Sequence, residues 1–237
     1  LLNALPFTPV THKRLNLNWE NTAGQLSDLC HEQQLSSWHS LFLDQQDKNT
    51  LQENPQLAIR EDIQFHWFNR GWSCFDDFLA DMTSRKRKSI KKERQKVGQQ
   101  GIKLQRLTGD LITPEHITIF YQFYQATYYK RGQTPYLSET FFQQVLPLVK
   151  HQMLLVNAKK NGSSIAMALC FFDQQNLYGR YWGCLEEYDC LHFEACYYQG
   201  IEFCLEKGIP HFDPGAQGQH KISRGFEPIS TYSAHWI

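Results

Sequence analysis

The chain has 237 residues with 24 Lys and Arg against 24 Asp and Glu, a formal net charge of zero, 41% hydrophobic and 14% aromatic residues. That is the composition of a folded protein long enough to bury a core as one large or two small domains, and it excludes a disordered or fibrous chain. No run of about 18 apolar residues exists to span a membrane, and Asn3 and Pro6 break the apolar N-terminus so that no secretory signal is read there.

Seven cysteines stand at positions 30, 74, 170, 184, 190, 196 and 204 without a CxxC pair. Most lie within apolar or aromatic surroundings, which predicts reduced, buried thiols in a cytoplasmic protein rather than a disulfide framework or zinc site. The chain starts with Leu and stops within a predicted strand at His235, Trp236 and Ile237, so the natural protein is expected to extend beyond it.

Taken in chain order, the first 60 residues read as irregular, with a helix near Thr22 to Cys30 and a strand over Ser37 to Leu43. DIQFHWFN, 62 to 69, alternates as a strand does and ends at Gly71. Phe75 to Lys96 reads as one helix with Asp76 and Asp77 in its first turn and cations in its last, an order that complements the helix dipole. Ile102 to Leu107 reads as a strand. Thr113-Pro114-Glu115 opens an aromatic helix running to Gly132, and Ser138 caps another to about Lys150.

The period then changes from helix to strand. MLLVNA (153 to 158), SIAMALCFF (164 to 172) and LYGRYWG (177 to 183) predict three strands joined by hairpins. A helix from about Leu191 to Lys207 follows, with Phe193, Cys196, Tyr197, Gly200 and Cys204 on its core face and Glu194, Tyr198, Glu202 and Glu206 facing away by spacing. A short strand, Pro210 to Asp213, comes last in this series. The order is that of an α+β fold with a mixed central sheet.

Three segments carry candidate chemistry. From Arg85 to Lys96 there are eight Lys or Arg and one acid, Glu93, which leaves 16 basic against 23 acidic residues elsewhere. Like charges four apart, such as Arg87 and Lys91, repel by a few tenths of a kcal/mol. The segment is therefore either a solvated surface helix or, as we read it, a polyanion contact made by Arg85, Lys86, Arg87, Lys88, Lys91, Lys92 and Arg94. In HFDPGAQGQHKISRGF, 211 to 226, Asp213 ends a strand, Gly215 and Gly218 free the backbone, and His220, Lys221 and Arg224 offer cations for an anion pocket. The alternative is a tight loop with Arg224 in a structural ion pair. In GRYWGCLEEYDCLHFEACYYQG, 179 to 200, Arg180 is a candidate binding residue, and His192 or Glu194 a candidate general base toward an amine; a surface Glu and a hydrogen-bonded His are the plainer alternative. GxGxxG, GxxxxGK[ST] and HExxH motifs are missing, as is a GxSxG elbow, which removes hydride transfer, P-loop hydrolysis and zincin proteolysis.

The stretches LPFTPVTHKRL (5 to 15), SSWHSLF (36 to 42), QFHWFNRGWSCFDDFLADMTSRKRKSIKKER (64 to 94), GRYWG (179 to 183) and LHFEACYYQGIEFCLEKGIPHFDPGAQGQHKISRGFEP (191 to 228) together resemble the FemAB-like proteins. This is a bacterial group named for peptidoglycan biosynthesis or recognition within the GNAT acyltransferase superfamily. The resemblance implies two GNAT-like halves: an incomplete first one over 1–71, and a second over 72–237 opened by the basic helix. It implies a sheet splayed where the LYGRYWG strand parts from the HFDPG strand, an acyl donor entering that splay, and a strand N–H for the oxyanion. It further implies aminoacyl-tRNA as donor and a cell-wall precursor as acceptor, so that phosphates of RNA or of the precursor meet the basic helix; DNA is not among the expected partners. The stretch CLEEYDCLHFE has no glycine and carries Glu186, Glu187, Asp189 and Glu194 where acyl-CoA enzymes of the superfamily cradle a pyrophosphate. Aminoacyl-tRNA is thus expected before acyl-CoA, as a co-substrate and not a bound cofactor. The competing expectations are a GNAT-shaped module that binds a cell-wall precursor or RNA without turnover, and use of acyl-CoA despite the missing loop.

Overall fold

The computed structural model describes all residues except 5–7, 14–17 and 217; part of the LPFTPVTHKRL stretch therefore lies outside the described residues. The chain divides into two compact units. The first holds Leu1–Phe65, Gly215–Gln219 and Pro228–Ile237, and the second His66–Pro214 and His220–Glu227. The sequence placed the division after residue 71 and gave the whole C-terminus to the second half, whereas the last ten residues fold with the first unit.

In the first unit, α1 (Trp19–Glu32) starts at Asn18, whose side chain accepts from the backbone N–H of Glu20, and α2 (Gln45–Gln52) starts at Asp44 in the same manner. β1 (Leu2–Asn3) lies parallel to β2 (Trp38–Leu43), which pairs antiparallel with the C-terminal β9 (Glu227–Trp236). Trp19, Ala23, Cys30, Trp38, Leu43, Leu51 and Ala234 form its core, with the Trp19 and Trp38 rings stacked at 6.3 Å.

The second unit is built on a sheet ordered β3-β8-β7-β6-β5-β4, to which β3 contributes its last residues, His66–Phe68. β3 is Ala58–Phe68, β4 Ile102–Leu107, β5 Met153–Lys160, β6 Ser163–Phe172, β7 Asn176–Cys184 and β8 His211–Asp213. β4 to β7 run antiparallel to one another, β8 is parallel to β7 and antiparallel to β3. The apolar faces of α5 (Pro114–Tyr129) and α6 (Glu139–Val149) cover β4 to β7 through Ile117, Phe120, Phe123, Tyr124, Phe142 and Leu146.

Two features depart from the expected elements. The predicted Phe75–Lys96 helix is two: α3 (Phe75–Ala80) and α4 (Ser84–Gln99), the latter capped by the Thr83 hydroxyl, which accepts from the Lys86 N–H. Thr83 competes for the backbone as Ser and Thr do at helix starts, so Arg85 to Lys88 occupy the first turn of α4, where the dipole opposes cations. The predicted Leu191–Lys207 helix is α7 (Leu191–Phe193), a π-helical turn (Glu194–Tyr198) and α8 (Gln199–Lys207). The π turn adds a residue to the ladder, and Glu194 and Tyr198, expected outside by regular 3.6-residue spacing, are buried at 4% and 0% exposure.

β7 pairs with β8 through Asn176–His211, Leu177–Phe212 and Tyr178–Asp213, and no further. Just beyond, Arg180 is an extra residue in β7, since Cys170 and Leu169 of β6 face Gly179 and Tyr181. Such a bulge sharpens the twist of a strand and bends it away from its neighbour. Farther along, α5 seals the edge of β7: Thr127 Oγ1 donates to the Trp182 carbonyl at 3.0 Å and Lys130 Nζ to that of Cys184 at 3.2 Å. Among the described residues no helix is long and apolar enough to cross a membrane.

The α5–β7 contact rests on Gly183, where a Cβ would lie 2.1 Å from the Phe123 carbonyl oxygen, a backbone atom that cannot move aside. Gly183→Ala is expected to destabilise the protein by about 3 kcal/mol, read as a lower urea midpoint at unchanged slope; an unaltered midpoint contradicts this packing.

Candidate active site at the strand splay

The parting of β7 and β8 brings together residues from five elements. Asp213 ends β8 at the last paired position and is 1% exposed. Lys221, equally buried, sits in the 3-10 segment Gln219–Arg224. Burial lowers its ammonium to about 8, with the Asp213 carboxylate opposing the shift. Its Nζ lies 5.9 Å from the Tyr197 ring centroid on the π turn. Asp213 and Lys221, both singled out in the sequence, are thus joined at the splay.

Two histidines the sequence reading did not select stand beside them. His66 Nε2 is 3.6 Å from Asp213 Oδ1, His66 Nδ1 is 2.8 Å from His211 Nε2, and His211 Nδ1 is 2.7 Å from Asn176 Oδ1. The Asn176 amide N–H donates to Asp173 at 3.3 Å, so its oxygen accepts from His211 Nδ1–H, and His66 donates its Nδ1–H to His211. Burial pushes both histidines down to about 4; the Lys221 charge adds to this for His66, and His66 does so for His211. Their signal was present in the sequence only as HWF and HFD, two short strands whose pairing was not legible.

The other singled-out residues divide by role. Arg180 is half-buried at the bulge. His220 is exposed, and its Nε2 lies 2.8 Å from the Tyr197 hydroxyl; burial lowers it, with help from Arg224 and Lys221. Arg224 is consumed internally: its Nη2 and Nε donate to Glu93 at 2.7 and 3.1 Å, Nη1 donates to the His220 carbonyl at 2.7 Å, and its guanidinium lies 3.5 Å from the Phe193 ring centroid. It has the structural ion pair of the alternative reading.

The two expected bases are also otherwise engaged. Glu194 accepts from Arg94 Nε and Nη2, both at 3.1 Å, and from Gln199 at 2.8 Å. These three donors occupy the carboxylate, and the π turn places it toward α4. His192 is ringed by Trp182, Phe193 and Tyr197 at 5.4 to 5.7 Å, and burial, helped by nearby His220, Arg224 and Lys221, lowers it to about 4. His192 stands near enough to Lys221 to feel its charge, while Glu194 is turned to Arg94.

The basic helix is likewise sorted. Arg94 is paired with Glu194 and Glu202 and stacked on Phe75 at 4.6 Å. Lys86 Nζ donates to the Ile222 carbonyl at 3.2 Å, and Arg87 to that of Met82 at 3.2 Å. Arg85, Lys88, Lys91 and Lys92 are exposed, and the first, second and last recur at the three- and four-residue spacing of one helix face. Of the four acids in CLEEYDCLHFE, Asp189 and Glu194 are spent on Lys96 and Arg94. Among the described residues no group of three His, Cys, Asp or Glu could hold a metal ion.

The sequence profile of the FemAB-like family, described as peptidoglycan biosynthesis/recognition, matches residues 1–237. FemX superposes with a TM-score of 0.58 at 10% identity, covering 96% of this chain and 79% of its own. L-PGS from Bacillus licheniformis does so at 0.62 and 9%, covering 90% and 71%. A conserved protein of unknown function from Bacteroides thetaiotaomicron VPI-5482 gives 0.58 and 12%, covering 94% and 77%. At these identities the likeness is one of fold, the GNAT-like arrangement of a mixed sheet flanked by helices. No curated protein matches the chain.

The lowered histidines set a pH dependence. A His held near 4 in the folded state and at 6.5 when unfolded binds its proton first in the unfolded chain, so its stabilisation is complete above 6.5 and drains away as pH falls toward 4. At pH 5 the loss is about 2 kcal/mol for each such histidine. His192→Phe should remove one histidine's share of the difference between urea unfolding at pH 7.5 and pH 5. An equal difference in the variant and the parent contradicts the burial.

Proposed function

Because the chain belongs to the FemAB-like family, we propose that it transfers an acyl group from an activated ester to an amine, with direct attack at the splay between β7 and β8. The observation that carries this reading is the buried Lys221 beside Asp213 where the two strands part, next to the Arg180 bulge. The amine nitrogen attacks the ester carbonyl, and the oxyanion that forms meets the Lys221 ammonium and a backbone N–H of β7. In a water-poor site such charge compensation supplies a large part of the rate. The carbon–oxygen bond of the ester then breaks, and the departing hydroxyl takes up a proton to balance the one the amine gives away. Asp213 keeps Lys221 charged at neutral pH against the cost of burial.

The donor in this reading is an aminoacyl-tRNA acting as co-substrate in the cytoplasm. The exposed Arg85, Lys88, Lys91 and Lys92 of α4 support a phosphate-bearing ligand, and the acid-rich, glycine-free CLEEYDCLHFE stretch argues against the pyrophosphate of acyl-CoA. The acceptor is an amine of a cell-wall precursor. The fold shared with L-PGS makes an acidic phospholipid headgroup the comparison to test beside it.

The test offers charged tRNA or acyl-CoA as donor with a muropeptide or phosphatidylglycerol vesicles as acceptor, and follows acyl release and product. Lys221→Met should lower kcat by about 100-fold or more with little change in donor binding. The triple change Arg85→Ser, Lys88→Ser, Lys92→Ser should weaken donor binding and flatten its salt dependence by about two to three phosphate contacts. Tight binding without acyl transfer, together with a silent Lys221→Met, would make this a recognition module instead.

A further inference from the structure

The lone acid of the basic stretch has a second assignment. Six residues, Gln219–Arg224, carry Lys221 in 3-10 geometry, which has poorer hydrogen bonds than an α-helix and little stability of its own. Its placement therefore depends on what grips it. The C-terminal grip is Arg224, held by both Glu93 carboxylate oxygens and laid on the Phe193 ring. Arg224 also donates to the His220 carbonyl, so the same guanidinium fixes the residues on both sides of Lys221. Glu93 is itself held by the Tyr198 hydroxyl, which the π turn brings inward. A further grip is Lys86 Nζ on the Ile222 carbonyl.

We infer that Glu93 and Arg224, with Tyr198 behind them, are positioning residues that set Lys221 against Asp213, and that the basic helix supports the reacting centre as well as any polyanion. This rests on the transferase reading for its kinetic consequence, while the positioning itself is independent of turnover. It also accounts for an acid among eight cations: a cation at position 93 would leave the 6%-exposed Arg224 facing a like charge without a counterion.

The decisive comparison is between Glu93→Gln and Glu202→Gln. Glu202 of α8 pairs with Arg94 of the helix that carries Glu93, so its loss reports loosening of α4 alone. Tyr198→Phe is the milder partner of Glu93→Gln should the latter fold poorly. Two readouts are used. The first is kcat and donor KM: Glu93→Gln should lower kcat about tenfold or more with KM nearly constant, Tyr198→Phe less, and Glu202→Gln neither. The second is the NMR titration of the Lys221 side chain in carbon-13 lysine-labelled protein. The titratable and charged groups around Lys221 are Asp213 on β8, His66 on β3, His192 on α7, Cys196 and Tyr197 on the π turn, and His220 and Arg224 on its own segment. Release from that setting should move its midpoint up toward ordinary lysine in Glu93→Gln and, by a smaller step, in Tyr198→Phe, but not in Glu202→Gln. If the parent transfers no acyl group, the transferase reading fails and the titration alone decides the positioning. Unchanged Lys221 titration in both Glu93→Gln and Tyr198→Phe, or an equal change in Glu202→Gln, overturns the inference.

Discussion

The second unit turns on two neighbouring residues of opposite charge, Glu93 and Arg94 of α4, each locked to a different partner. Arg94 is clamped to Glu194 and Glu202 on the π turn and α8, and Glu93 to Arg224 in the 3-10 segment. Both pairs are largely withdrawn from water, where removing one member leaves a charge that burial makes expensive. Ile90 and Val97 give α4 only a thin apolar face, so these pairs fix where it lies. Once α4 is fixed, Arg85, Lys88, Lys91 and Lys92 are turned to solvent, and the segment with Lys221 has a wall to rest on.

A second constraint is the ending of the β7–β8 ladder at Tyr178 and Asp213. β8 is only three residues long, Pro214 follows it and cannot donate to a ladder, and the bulge at Arg180 turns β7 away. Gly179 lets the strands stay close until that point, since a Cβ there would lie 3.2 Å from Pro214 Cα. The gap is then bounded by α5 at its far end. This gap is where the transferase reading places the acyl carbonyl, with the buried lysine as the charge such a carbonyl would need as it becomes an oxyanion.

Much of the fold was legible because its signals are local. The short apolar runs MLLVNA and SIAMALCFF and the aromatic LYGRYWG, with the turns between them, and the Thr-Pro-Glu and Ser-Glu starts of α5 and α6, gave elements within a few residues of those found. The break at Thr83 was hidden by the attraction of a simple charge order along Phe75–Lys96, although a Thr-Ser pair inside a helical pattern is itself a cap signal. The π turn was not legible, because spacing rules assume a regular helix, and it alone reversed the assignments of Glu194 and Tyr198. Asp213 and Lys221, which the structure buries near one another, were singled out by their place in a glycine-containing loop after a strand. His66, His211 and Glu93 were not, because their meaning lies in partners 145 and 131 positions away, a separation that no local pattern records.

The account stands on the splay as the place where the acyl carbonyl is held. The most direct measurement is a crystal structure of the protein with a donor analogue whose reactive ester is replaced by an amide. The account predicts the analogue's carbonyl oxygen between β7 and β8, within hydrogen-bond reach of Lys221 Nζ, with its phosphates toward Arg85, Lys88 and Lys92. An analogue bound elsewhere, with Lys221 still enclosed by Asp213 and Tyr197 and touching no ligand, would contradict it.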